Sequence, residues 1–252
     1  SLENGVVRVP TGFKEAFDQM REATVQKWLD LVLQNFDNHG LGAAITVLEN
    51  IDGFVQQSKI KEVQCSFGDT SSFLQHFIRG LGGRDLKISS DEDTFTNTEA
   101  LFLPEAVDLF PMPQQNFTLY KLTAVHLWAQ TWYGTWQHHI LEAFKNKYDS
   151  PNHIEIFNRL ECIRLDSCIA RDFPGLSKEL QEFQLQDSES MELWRTWKVN
   201  STKLQNVDAT AFDSLEMIEE FSDADLPPLQ SYQGEMYLDR IRQTFYSRVE
   251  QE

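Results

Sequence analysis

The chain has 252 residues, enough for one large domain or two modest ones with a core that needs no metal or disulfide to fold. Eighteen Phe and six Trp beside only 12 Gly and 8 Pro point to a packed globule and exclude a collagenous or low-complexity chain. The 39 acidic against 22 basic side chains leave a formal charge of −17, which opposes nonspecific binding to nucleic acid or anionic membrane and suits a basic partner surface.

Apolar residues recur at helical spacing from Phe13 to Phe36 (Phe13, Phe17, Met20, Trp28, Leu29, Val32), with Lys14, Glu15, Asp18, Arg21 and Lys27 between them. This predicts an amphipathic helix ended near 38–40. A second helical run is expected from Leu41 to about Gln57, and a third from a cap at Ser71 to Leu81, before the Gly82-Gly83 stop. Between Asp91 and Pro104 two short β-prone runs flank the polar turn Thr96 to Glu99, which predicts a small hairpin. Asn116 to Tyr133 reads as a long, strongly apolar helix stopped by Gly134. Thr135 opens another through Lys147, and Ser150-Pro151 opens one that carries Ile154 to Arg171 and closes at Pro174-Gly175.

From Lys203 to Arg240 the intervening residues include nine Asp or Glu and no Lys or Arg, and Leu226-Pro227-Pro228 interrupts any helix. This reads as an acidic, partly mobile linker around one short helix from Thr210 to Phe221, with Thr210 and Asp213 spaced as a capping box. The expected fold is mainly α: a multi-helix globular domain with a small β-hairpin and a degenerate zincin-like helix pair. Three regions follow: an amino-terminal helical region over 1–90, a hairpin-plus-helix domain over 91–203, and the acidic linker with a terminal helix over 204–252.

Cys65, Cys162 and Cys168 make no CxxC pair, and their odd number argues against a disulfide framework and for a reducing compartment. No run reaches the roughly 18 consecutive apolar residues of a membrane span, and residues 1–10 lack a basic start and an apolar stretch. A cytoplasmic protein is expected. The chain opens on Ser1 rather than Met, and the expectation is a fragment of something longer.

Gly80-Leu-Gly-Gly-Arg84 resembles a phosphate loop superficially, but no Lys-Ser/Thr follows, and a helix stop is the better reading. Cys162 and Cys168, six apart, point to different helix faces and read as buried structural thiols without a neighbouring His. Trp128, Trp132 and Trp136 recur every four residues, as a packing stripe or a ligand-stacking one, with packing favoured. The side chains of His138 and His139 diverge on a helix, which disfavours a metal site built from both.

The most informative spacing is His126 and Gln130, four apart and so on one helix face, as two ligands are in a zincin. A zincin needs Glu after the first His as base and a second His as ligand, whereas Leu127 and Gln130 stand here. Glu161 on the later helix stands where a third ligand would come from. The set His126, Gln130 and Glu161 is therefore either a poor zinc site or a buried, metal-free polar cluster in which His126 and Gln130 hydrogen-bond Glu161. The second is expected, with no catalytic residue and no cofactor.

Several segments in order carry a family resemblance: Leu101-Phe-Leu-Pro104, Asn116-Phe-Thr-Leu-Tyr120, His126 to Gln130 ending in Gly134-Thr-Trp136, Glu161-Cys-Ile-Arg-Leu-Asp166, and Phe173-Pro-Gly-Leu176. The chain resembles the amino-terminal part of CbbO and NorD proteins over about 94–176, and Leu226-Pro-Pro-Leu with Tyr232-Gln-Gly-Glu235 resembles the boundary before their later domains. The resemblance implies a non-catalytic adaptor that couples a hexameric MoxR-type AAA+ ATPase to a client enzyme. In that family a von Willebrand factor A domain engages the client, and neither its Asp-x-Ser-x-Ser motif nor a Walker motif occurs here. Gln130 is more like the CbbO branch, tied to Rubisco activation, than the NorD branch, tied to nitric oxide reductase. A metalloenzyme related to the gluzincins is the alternative. For docking, Phe212, Leu215, Ile218 and Phe221 recur every three residues among acidic neighbours, which would suit a basic groove on the ATPase; an ordinary helix packed on its own domain is the competing reading, and Lys14, Arg21 and Lys27 offer the opposite charge.

Overall fold

The computed structural model describes residues 16, 20, 22–83, 85–148 and 150–249, and it divides the chain into two compact units, Ser1–Gln64 and Cys65–Glu252. The fold is mainly α with a small sheet, as the periodicity predicts. The division falls at Gln64 and Cys65 rather than near residue 90. Among the described residues no helix is long and apolar enough to cross a membrane.

In the first unit, helix α1 (Glu22–His39) ends where Gly40 takes φ 80, a left-handed turn that glycine adopts without a Cβ clash. Of the helix expected from Phe13, residues 13–15, 17–19 and 21 lie outside the described residues. The single run expected from Leu41 is two helices, α2 (Leu41–Glu49) and α3 (Ile51–Val63), separated at Asn50. Trp28, Ile51 and Val55 form its buried core, with Val32, Val47 and Phe54 packed around them.

The second unit opens with β1 (Cys65–Ser66) and α4 (Phe67–Leu81). The cap of α4 is Ser66, not Ser71: its hydroxyl accepts the Asp69 N–H at 3.2 Å. Strands β2 (Lys87–Ser90), β3 (Phe95–Thr96) and β4 (Ala100–Leu103) form a sheet in the order β2-β4-β3. The expected hairpin is the antiparallel pair β3 and β4, Phe95 opposite Phe102, and its turn is held by Asn97, whose side-chain oxygen accepts the N–H groups of Glu99 and Ala100. The parallel partner β2 was not expected, and neither was β5 (Ala106–Val107), which pairs with β1.

Two long helices, α5 (Pro113–Trp132) and α7 (Pro151–Asp172), lie at the centre, each starting with Pro in the first turn where no N–H partner is lost. Every residue from Leu122 to Gln130 and from Ile156 to Leu165 is buried, so both helices are enclosed all round rather than amphipathic. Gly134, at φ 69, closes α5, and the Thr135 N–H reaches back to the Gln130 carbonyl at 2.9 Å. Between them α6 (His138–Asn146) starts later than Thr135. Helix α7 ends at Asp172, just before Pro174-Gly175 as expected, and Pro174 also opens α8 (Pro174–Glu182), after which α9 (Ser188–Asn200) follows with its cap at Asp187.

The acidic stretch is no loose linker. A capping box at Thr210 starts α10 (Ala211–Glu216), a 3-10 turn follows at Glu219–Phe221, and Leu204, Ile218 and Tyr232 are fully buried. Its extended part borrows side-chain donors in place of a strand ladder: Trp197 to the Asp225 carbonyl at 3.0 Å, Arg159 to Pro227 at 2.7 Å, Trp194 to Pro228 at 3.0 Å and Asn158 to Gly234 at 3.1 Å. A Cβ at Gly234 would meet Leu127 at 2.6 Å and the Thr94 carbonyl at 2.7 Å, so only glycine lets this segment lie against the sheet. Helix α11 (Leu238–Val249) ends the described chain.

Candidate functional site

The buried face of α7 carries two polar clusters within two turns. In the first, Glu161 is fully buried and both its oxygens are occupied: Oε1 accepts from Arg164 Nε at 2.6 Å and Ser214 Oγ at 2.7 Å, and Oε2 accepts from Arg164 Nη2 at 2.7 Å and the Thr135 hydroxyl. Arg164 Nη1 also donates to the Tyr133 carbonyl at 3.3 Å. Burial alone would raise the Glu161 carboxyl, but the Arg164 charge with these hydrogen bonds outweighs it and holds the group below its ordinary range. The cluster ties α7 to the end of α5 and to α10.

In the second, α5 places His126 opposite Cys162 and Asp166, which are four residues apart and so share a face of α7. One ligating atom from each of the three lies within 4.8 Å of the others. His126 is fully buried, and among the described residues neither ring nitrogen has a hydrogen-bond partner. Its Nε2 lies 3.9 Å from Asp166 Oδ1, an oxygen that is also unpartnered, while Tyr232 donates its hydroxyl to Asp166 Oδ2 at 2.8 Å. Burial pushes the imidazole down to about 4, against the opposing field of Glu161, so it is neutral at physiological pH. Burial likewise raises the Asp166 carboxyl to about 6, opposed by the Tyr232 hydrogen bond and the Lys198 charge, and pushes the Cys162 thiol well up.

The structure therefore separates the three residues grouped from the sequence. His126, Gln130 and Glu161 are all buried, but Glu161 is bound to Arg164, Thr135 and Ser214, while Gln130 Oε1 accepts from Trp136 Nε1 at 3.0 Å. No hydrogen bond from His126 or Gln130 to Glu161 occurs. Along the sequence Cys162 has no neighbouring His; the local signal is Cys162 with Asp166 at helical spacing, and His126 reaches them only through the packing of α5 on α7. All three thiols are free and buried, as expected for Cys162 and Cys168.

The four docking candidates do not form an exposed face. Leu215, Ile218 and Phe221 are 3%, 0% and 4% exposed, so three of the four proposed anchors belong to the core of their own unit; Phe212 alone is open, at 46%. The spacing of three follows the core-facing side of α10 and the following turn, where Phe221 packs on Trp197 with ring centroids 4.5 Å apart. The acidic neighbours point outward, Glu219 to Lys147 at 2.7 Å and Glu216 to Lys203 at 3.3 Å.

Gly82 and Gly83, at φ 103 and 88, form a helix stop as expected, with Arg84 outside the described residues. Trp128 and Trp136 are core residues, whereas Trp132 is half exposed and stacks on Trp128. His138 and His139 diverge toward Phe245 and Phe212 respectively. Of the amino-terminal cations considered for docking, Lys14 and Arg21 lie outside the described residues. No protein-family model matches the chain, and no curated protein or solved structure matches it.

Proposed function

We propose that this chain is a non-catalytic adaptor body that couples a MoxR-type AAA+ ATPase to the remodelling of a client enzyme, with Rubisco the favoured client. The observation that carries the reading is the ordered set of segments resembling CbbO and NorD proteins, together with what those segments do. Leu101 and Leu103, Leu119 and Tyr120, Leu127 and Trp128, Trp136, and Ile163 and Leu165 all belong to one core, against which Phe173 and Leu176 pack. A resemblance carried by core positions is one of scaffold, on which partner surfaces are displayed. The gluzincin alternative loses support at Glu161, which would have to abandon a buried ion pair before serving as ligand or base. The charge of −17 supports a basic partner.

The test is sedimentation of the purified chain with the cognate ATPase, with and without a slowly hydrolysed ATP analogue, across a salt series. Association should weaken as the Debye length contracts to about 8 Å at physiological ionic strength. No association at the lowest salt in either nucleotide state sinks the reading. Adding inhibited Rubisco or inactive nitric oxide reductase to the reconstituted system then separates the two branches, according to which enzyme recovers activity.

A further inference from the structure

We propose that His126, Cys162 and Asp166 form a binding site for one zinc-class divalent transition-metal ion, set between α5 and α7. The geometry comes first. The three ligating atoms lie within 4.8 Å of one another, while zinc bonds of about 2.0–2.3 Å in a tetrahedron put ligand atoms about 3.3–3.8 Å apart.

Unsatisfied valence is the second, independent observation. His126 is fully buried with both ring nitrogens unpartnered, and Asp166 Oδ1 is unpartnered at 3.9 Å from Nε2. Buried polar atoms of native proteins nearly all find partners. Nε2 of the Nδ1–H tautomer and Oδ1 both carry lone pairs and are too far apart to share a proton, but one cation between these two atoms satisfies both.

Charge and support agree with this assignment. One thiolate and one carboxylate offset the two positive charges of the ion, so the assembled site is neutral in a buried setting; the Cys162 proton, and the Asp166 proton where present, leave to solvent on binding. The Tyr232 hydroxyl fixes Asp166 through Oδ2 and leaves Oδ1 turned to His126, the supporting role usual for ligating carboxylates. A cavity of about 140 Å³ lined by Asp166, Ser167, Gln181, Gln184 and Lys198 adjoins the site at Asp166. The mixed nitrogen, sulfur and oxygen set selects zinc or its substitute cobalt over magnesium and calcium, which favour oxygen alone.

The experiment strips the purified chain with a chelator, then titrates zinc and, separately, cobalt. We expect one zinc per chain retained through gel filtration, and a thiolate-to-cobalt charge-transfer band. Cys162→Ser should abolish the band, Asp166→Asn should weaken zinc affinity about tenfold or more, and Cys65→Ser and Cys168→Ser should change neither. Absence of retained zinc together with absence of the band overturns the site, as does a band that survives Cys162→Ser. Should Cys162→Ser fail to fold, Asp166→Asn keeps an acceptor for Tyr232, and unchanged zinc affinity in that variant overturns the site on its own.

Discussion

The two polar clusters of α7 share a helix, and Glu161 and His126 are both fully buried, but the clusters differ in how far their valences are met. Around Glu161 both carboxylate oxygens are taken by Arg164, Thr135 and Ser214. Around His126 two nitrogens and one carboxylate oxygen have no partner among the described residues. A closed network of this kind rigidifies a core, whereas unmet valences in a buried cluster call for a further partner such as a water or an ion. Burial alone therefore does not distinguish a structural cluster from a binding site; the bookkeeping of donors and acceptors does.

The largest effect should come from opening the closed cluster. Arg164→Met strands the Glu161 carboxylate and should destabilise the fold by about 3–5 kcal/mol, the usual cost of removing one partner of a buried ion pair. The double variant with Glu161→Leu should cost less than that single one, because no charge is left unpaired. Urea denaturation of the four species measures the coupling, and a double variant as damaged as the sum of its singles would mean the pair is not a unit. Ser214→Ala removes one donor to the carboxylate from α10, and about 1–3 kcal/mol of destabilisation is expected.

A pH series sharpens the contrast in chelator-treated protein. His126 titrates near 4 when folded against 6.5 ordinarily, so between those values the unfolded chain holds a proton the folded one lacks, and stability rises with pH. Asp166 titrates near 6 when folded against 3.8 ordinarily, so there the folded chain holds the extra proton and stability falls as pH rises. Between about pH 4 and 6 the two contributions cancel. Asp166→Asn should uncover the first, with stability lost on acidification at up to roughly 1 kcal/mol per pH unit, and His126→Gln should uncover the second with the opposite slope. Glu161 stays out of most of this window: its folded value lies below the ordinary 4.5, so its contribution is complete above that pH and is lost only on further acidification. Parallel pH curves for both variants would show that the two groups do not titrate as assigned.

Much of this frame is legible in the sequence, for identifiable reasons. Helix α5 announces itself by its strongly apolar run, α7 by Ser150-Pro151 at its start, the hairpin by a polar turn between β-prone runs, and the end of α5 by Gly134. What is not legible depends on tertiary packing. Lys87-Ile-Ser-Ser has too little apolar alternation to read as a strand, and forms one because β4 lies beside it. The stretch after Thr202 looks like a linker because its backbone is held by Trp194, Trp197 and Arg159 from distant helices, which leaves no local pattern. Glu161 and Arg164, three apart on a helix, were readable as a pair; His126 with Cys162 was not, since only the docking of α5 on α7 joins them.

The smallest expected effect decides most directly whether the open cluster differs in kind from the closed one. His126→Leu in chelator-treated protein removes an imidazole whose two nitrogens are buried without partners, a situation that itself costs about 1–3 kcal/mol. Leucine gives up some fit but strands nothing beyond Asp166 Oδ1, which is already unpartnered, so the net change should stay within about 1 kcal/mol. Glu161→Leu, an equally apolar change five residues before Asp166 on α7, should cost about 3–5 kcal/mol because Arg164 is then alone. Zinc supplies the second half of the comparison: at a hundredfold excess over its dissociation constant it should stabilise the wild-type chain by about 2.7 kcal/mol, and His126→Leu by much less at the same concentration. Thermal or urea melts with chelator and with zinc would read both numbers. A loss of several kcal/mol from His126→Leu in chelator would mean that the imidazole is satisfied in solution after all, and the distinction between the clusters would fall.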